Sequence, residues 1–377
     1  MPRPFFQLPA DIIRTAAHRR QRLLRPSQLV PLEFAPLSSP PSENGMALAP
    51  PRESHVKMVA APRVIPPFPH AGLLQKGPFG DWRDDLARDG YAVIKGAISR
   101  DKALDYRSKA LGWLESFGRG FDRSDPTTCS QPFLPAYSRG GMYFSHGIHQ
   151  EQWVWDIRTE PGVKKAFETL WGTDELVSSM DGATIMLPGG PPLPAHLRQW
   201  KHIDLSPWRE GFFVAQGLVN LNDNGPKDGG LLVMKGSSKL MKEYFDEVGR
   251  PPLPQEGKID WHTFQEEEMK WFFARGCEWL KVCADAGDLV LWDSSTIHQN
   301  CMPTGDRDRV VTYVCMGPAS LVTDEDRASH APFHGTFLVD RKPIRDDTGQ
   351  VDPDWQARKN LRKETDEVKR LAGVLPY

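Results

Sequence analysis

The chain has 377 residues, with 47 Lys+Arg against 49 Asp+Glu and a formal net charge of −2. That balance excludes a dedicated nucleic-acid binder, which concentrates positive charge to displace counterions from phosphate. No stretch reaches the roughly 20 uninterrupted apolar residues that span a bilayer, and five Cys without a CxxC pair fit a reducing compartment better than a disulfide scaffold or a structural zinc site.

Residues 1–32 hold six Arg and a single acid, Asp11. An Arg-rich, acid-poor start is the composition of a mitochondrial transit peptide; the plainer reading is a disordered tail on a cytoplasmic protein. Residues 31–70 then carry ten Pro, which remove backbone donors and block helix and central strand, so a linker without its own core is expected. Order is expected from about Gly80. Asp81 to Asp89 reads as a helix stopped by Gly90, and Tyr91 to Lys95 as the strand after it. Ser99 to Phe117 repeats apolar residues near a 3.6 spacing, and Pro161 to Leu170 places proline in a first turn, where its missing donor is harmless.

From about Leu176 the signals become short strands divided by Gly, Pro and Asn: Thr184–Leu187, Phe212–Leu221, Gly230–Met234, Leu289–Trp292 and Arg309–Met316. A helical insertion over Glu266–Phe273 interrupts them, and a surface helix over Trp355–Leu371 closes the chain. Few helices alternate with these strands. The expected class is therefore mainly β, a two-sheet roll or barrel with flanking helices. The sequence contains no GxGxxG after a strand, no GxxxxGK[ST], no GxSxG and no HExxH, which removes the usual signatures of four large enzyme classes.

Two His-x-acid triplets occur, His149-Gln150-Glu151 and His202-Ile203-Asp204. On a strand, residues i and i+2 project from one face, so a histidine nitrogen and a carboxylate oxygen can meet a metal together. A second His from a distant strand completes the two-histidine, one-carboxylate face of non-haem Fe(II) oxygenases, which leaves three positions open. Beyond the second triplet, a turn and apolar strand, Ala286 to Asp293, lead to His298, and eleven residues later Arg309 heads another apolar strand. A buried arginine there needs a carboxylate, which a bidentate 2-oxo diacid supplies. His149 and Glu151 fail on context, since Gln150 to Val154 reads as a helix start.

These segments resemble the phytanoyl-CoA dioxygenase family: Arg88 to Lys95, His202-Ile-Asp204, Gly211 to Gly225, Asp228 to Lys239, and Gly287 to Asp293 through His298. The resemblance covers about residues 80–320 and implies a double-stranded β-helix (jelly roll) core. It also implies Fe(II), 2-oxoglutarate and O2, with succinate and CO2 as co-products, acting on a small-molecule substrate by hydroxylation of an aliphatic C–H. Desaturation or epimerisation with the same cofactors, or a non-catalytic binding protein of this fold, are the alternatives. His202, Asp204 and His298 take the roles of catalytic iron ligands, and Arg309 that of co-substrate anchor. One departure is Gly236-Ser237-Ser238, where the family often has Gly-Ser-His. The carboxylate of Asp204 disfavours the halide-binding variants, which lack it.

Second-rank candidates are weighed against plainer roles. Asn300 is read as a co-substrate contact or a turn former, and Arg307 as a rival anchor or a solvated charge. Trp200, Trp292 and Tyr143 are candidates for the substrate pocket, although most of the 12 Trp of a β-rich protein are packing. Met142, Tyr143 and His146, beside Gly140-Gly141, could lid the pocket; Thr184, Met186 and Gln216 could line the barrel, with ordinary core the commoner role. The expected organisation is an N-terminal extension over 1–75, a dioxygenase domain over 76–345, and a charged helical tail over 346–377.

Overall fold

The computed structural model describes residues 69–189, 200–252, 261–322, 352 and 363–377. The extension expected over 1–75 therefore lies outside the described residues as far as 68. The tail expected over 346–377 is described only at 352 and from 363, where the helix spans Asp366–Leu371.

The chain first forms a 3-10 turn, Leu73–Lys76, then α1 (Trp82–Asp89) and β1 (Tyr91–Ile94). Ala71 already accepts a bond from Phe212 N (2.9 Å), so the chain joins the domain before Gly80. The Asp81 side chain caps α1 by accepting from Arg83 N, and Gly90 ends it at φ 81°. Next come α2 (Arg100–Glu115), β2 (Met142–Tyr143), α3 (Gln152–Arg158), α4 (Pro161–Trp171), β3 (Leu176–Ser178), β4 (Ala183–Met186), β5 (His202–Ile203), β6 (Ala215–Asn220) and β7 (Gly230–Lys235). The series ends with α5 (Met241–Val248), β8 (His262–Thr263), α6 (Glu266–Phe273), β9 (Glu278–Lys281), β10 (Leu289–Asp293), β11 (His298–Cys301), β12 (Arg309–Tyr313), β13 (Met316–Pro318) and α7 (Asp366–Leu371).

A six-stranded sheet, β1-β10-β6-β12-β4-β2, faces a five-stranded one, β8-β5-β11-β7-β9; a two-stranded pair, β13-β3, stands apart. Every pairing is antiparallel. These two facing antiparallel sheets form the double-stranded β-helix. The larger sheet is buried on both faces along β10, which explains why Leu289 to Trp292 are all apolar instead of alternating. Val290 and Trp292 face the inter-sheet interior with Leu218, Leu231, Val233, Val311 and Tyr313. Leu289 and Leu291 point the other way, into a core shared with Leu86, Trp113, Leu114 and Phe167 of the helices. The strand expected over Arg309–Met316 divides into β12 and β13, and β13 leaves the large sheet to pair with β3.

Candidate metal centre

The two histidines are direct cross-strand neighbours, because β11 pairs with β5 in the register His298↔His202. Their ring centroids lie 4.1 Å apart. Each ring is held by the same device. His202 Nδ1 meets Trp200 O at 2.7 Å and His298 Nδ1 meets Thr296 O at 2.9 Å, in both cases the carbonyl two residues upstream. A carbonyl only accepts, so Nδ1 carries the proton and the Nε2 lone pair is left for another partner.

Neither Nε2 has a hydrogen-bond partner, although both are buried. Asp204 Oδ2 lies 3.6 Å from His202 Nε2 and 3.5 Å from His298 Nε2. These separations are long for hydrogen bonds. They match ligands about 2.0–2.2 Å from one cation, which stand about 3–3.5 Å apart at near-octahedral or tetrahedral angles. All three ligand atoms fall within 4.8 Å of one another, and all three residues are buried. Burial alone would raise the Asp204 carboxyl, but the two facing imidazoles outweigh it and hold the group below the usual carboxylate range. Burial pushes the His298 imidazole down from its ordinary value, which favours a neutral ligand. The orphaned nitrogens and the mixed N,N,O donor set fit an Fe(II) ion with open positions.

The loop between β10 and β11 fixes these groups. Ser294 O accepts from Asp204 N at 2.9 Å, Ser237 Oγ from Ile297 N at 2.9 Å, and Gly90 O from Thr296 Oγ1 at 2.8 Å. Gly90 is required here, since a Cβ would sit 2.3 Å from Thr296 Oγ1. The segment Arg88 to Lys95 therefore braces the loop carrying His298. Ser237, one residue before the position where the chain departs from the family pattern, belongs to the same brace.

Arg309 stands on β12 opposite Met186, 2 % exposed, with Nε and Nη1 unpartnered. Burial pushes its guanidinium down from its ordinary value. Its side chain bonds Tyr313, whose hydroxyl lies 2.7 Å from Thr184 Oγ1. A buried cation without a carboxylate is costly, and the pairing it lacks is one that a ligand's carboxylate would complete. Arg307 cannot serve as the anchor, because it is exposed and binds Asp228 at 2.6 Å.

A small pocket opens onto this cluster, walled by Trp200, Trp292, Leu218, Leu231, Asn300 and Tyr313 together with both histidines. Trp200 stacks on His202 (4.3 Å, 15°), and the Arg139 guanidinium lies 3.9 Å over the Trp200 ring. Asn300 lies two residues beyond His298 on the same face, with its amide 3.4 Å from Met142 Sδ. Tyr143 is elsewhere. Met142 pairs with Thr184 and faces the interior, so Tyr143 points away and packs edge-on against Trp113 at 5.3 Å. Met142 and, just after the strand, Phe144 pack into the inter-sheet core instead, and Phe144 stacks on Tyr313 at 6.0 Å. His149 sits in a 3-10 turn, Ile148–Gln150, outside the metal-ligating group. Sequence reasoning misses Tyr313, although its place four residues after Arg309 on a strand puts both on one face.

A family model described as phytanoyl-CoA dioxygenase matches residues 86–309. "Ava biosynthesis cluster protein O" of Aspergillus versicolor is 41% identical over 250 residues, covering 66% of this chain and 80% of that protein. Among solved structures, the epimerase SnoN in complex with Fe3+, alpha ketoglutarate and nogalamycin RO aligns with a TM-score of 0.42 at 17% identity, over 63% of this chain and 82% of that one. EctD from S. alaskensis with 2-oxoglutarate and 5-hydroxyectoine aligns with a TM-score of 0.42 at 15% identity, over 63% and 75% of the two chains.

Proposed function

The chain belongs to the phytanoyl-CoA dioxygenase family of Fe(II)- and 2-oxoglutarate-dependent enzymes, and on that premise we propose that it hydroxylates an aliphatic C–H bond of a compact, largely apolar metabolite. The observation that carries the reading is the convergence of two partnerless imidazole nitrogens and a carboxylate oxygen within 4.8 Å, in a fold that also buries an arginine with two unpartnered guanidinium nitrogens. His202 and His298 would hold iron through Nε2 and Asp204 through Oδ2. When bound, iron, 2-oxoglutarate and O2 supply the oxidising equivalents and the oxygen atom, with succinate and CO2 as co-products.

The remaining work belongs to the chain's own residues. Arg309, supported by Tyr313 and Thr184, would clamp the far carboxylate of 2-oxoglutarate, fixing one end of the co-substrate. Trp200, Trp292, Leu218 and Leu231 keep water out and hold the substrate's C–H in one orientation. The walls are mainly aromatic and aliphatic, which favours an apolar body for the substrate. The test is a panel of apolar metabolites incubated with enzyme, Fe(II), 2-oxoglutarate and O2, reading succinate and product mass. Substrate-stimulated succinate with a product heavier by one oxygen atom is expected. An unsaturated or isomeric product would replace hydroxylation by another outcome, and succinate unresponsive to every substrate would count against the reading.

A further inference from the structure

Gln216 lies on β6 directly opposite Trp292 of β10 and is 1 % exposed. Its strand alternates: Leu218 faces the inter-sheet interior, whereas Ala215 and Val219 belong to the core behind the sheet. Gln216 shares the face of Leu218. Its Nε2 donates to Asp204 Oδ2 at 2.9 Å, and this oxygen is also the one closest to both histidine nitrogens. The direction of the amide is set chemically: turned over, it would aim its oxygen at a carboxylate oxygen, and two acceptors repel.

We propose that Gln216 is a positioning residue that, with His202, Asp204 and His298 holding the metal as read above, selects Oδ2 of Asp204 as the metal-facing oxygen and keeps the carboxylate a one-oxygen ligand. A carboxylate has two equivalent oxygens and a side chain free to rotate about its last bond. A buried amide proton on one oxygen removes that freedom, because leaving it would strand the donor. The same bond draws charge from Oδ2 and tunes how strongly the oxygen binds a cation. Ser294 O fixes the Asp204 backbone through its N–H and does not touch the carboxylate, so the backbone contact and the side-chain contact are separate devices.

The experiment uses metal-free full-length protein titrated with Co(II), with affinity read by chelator competition and geometry by the visible ligand-field spectrum. Gln216→Met keeps the length of the side chain and deletes the donor. The expected result is a protein that still melts cooperatively without metal, Co(II) affinity weaker by about 10–100-fold, and an altered spectrum. Affinity and spectrum both equal to wild type would overturn the proposal. Should Gln216→Met fail to fold, Gln216→Leu, which also lacks the donor and carries no charge, is read by the same criteria. His202→Ala separates the two levels of inference. If it binds Co(II) as well as wild type, the metal-site reading fails; if it loses binding while Gln216→Met keeps it, only the role of Gln216 fails.

Discussion

Replacing Arg309 by methionine should change stability and co-substrate affinity in opposite directions. In the folded chain the guanidinium is 2 % exposed, bonds Tyr313, and leaves Nε and Nη1 unpaired. Met fills most of the volume without a charge. Removing an uncompensated buried cation should stabilise the protein without co-substrate by about 1–3 kcal/mol once the lost Tyr313 bond is subtracted. At roughly 2–4 °C per kcal/mol for a domain of this size, differential scanning calorimetry resolves that gain. The same substitution leaves the co-substrate's buried carboxylate unpaired, a loss of about 3–5 kcal/mol. At 1.36 kcal/mol per decade that is a rise in the KM for 2-oxoglutarate of roughly 10²–10³-fold or more. Metal affinity should hold, because Arg309 is not among the residues that converge on the ion. A variant that melts lower and keeps its KM would refute the reasoning, since Arg309 would then be a structural cation satisfied by the protein itself.

Two further substitutions probe the surroundings. Tyr313→Phe deletes the hydroxyl that joins Arg309 to Thr184; steady-state kinetics should show the KM for 2-oxoglutarate raised about 10–100-fold with Co(II) affinity unchanged, the loss expected of one charge-assisted bond. Asp293 is buried, accepts from Ser295 N and Oγ through Oδ1, and has its carboxyl pushed by burial from 3.8 up to about 6. Because the folded-state pKa is the higher one, the native state binds more protons between these values, and stability falls as pH rises from about 4 to 6 and is level above. Asp293→Asn keeps both accepted bonds, so urea unfolding at pH 8 should show a gain of up to about 3 kcal/mol that vanishes by pH 4; a gain independent of pH would contradict the assignment.

Local chemistry made some elements readable in advance. Asp81 as cap and Gly90 as stop bound α1, and the glutamates ahead of the apolar run mark α6 over Glu266–Phe273, where the structure has it. Arg309 stood out because a charge at the head of an apolar strand must be matched by something. What the chain order conceals is cross-strand pairing. That His202 stands directly opposite His298 depends on two strands almost a hundred residues apart, one of them two residues long. The link from Tyr313 to Thr184 depends on pairing of the same non-local kind, and the bond from Gln216 to Asp204 on how the two sheets face each other. Tyr143 shows the limit most directly. Its strand has two residues behind two glycines, leaving no alternation from which to read a face, and the pairing of Met142 with Thr184 turns the tyrosine outward.

The central claim is that His202, Asp204 and His298 hold one iron beside the 2-oxoglutarate clamp. The most direct measurement is an anaerobic titration of metal-free protein with Fe(II) and 2-oxoglutarate, following the visible charge-transfer band that arises when the 2-oxo acid chelates the metal. The account predicts a band saturating at one Fe(II) per chain in wild type and absent in both Asp204→Ala and His298→Ala. No band in wild type, or an undiminished one in either variant, would contradict it.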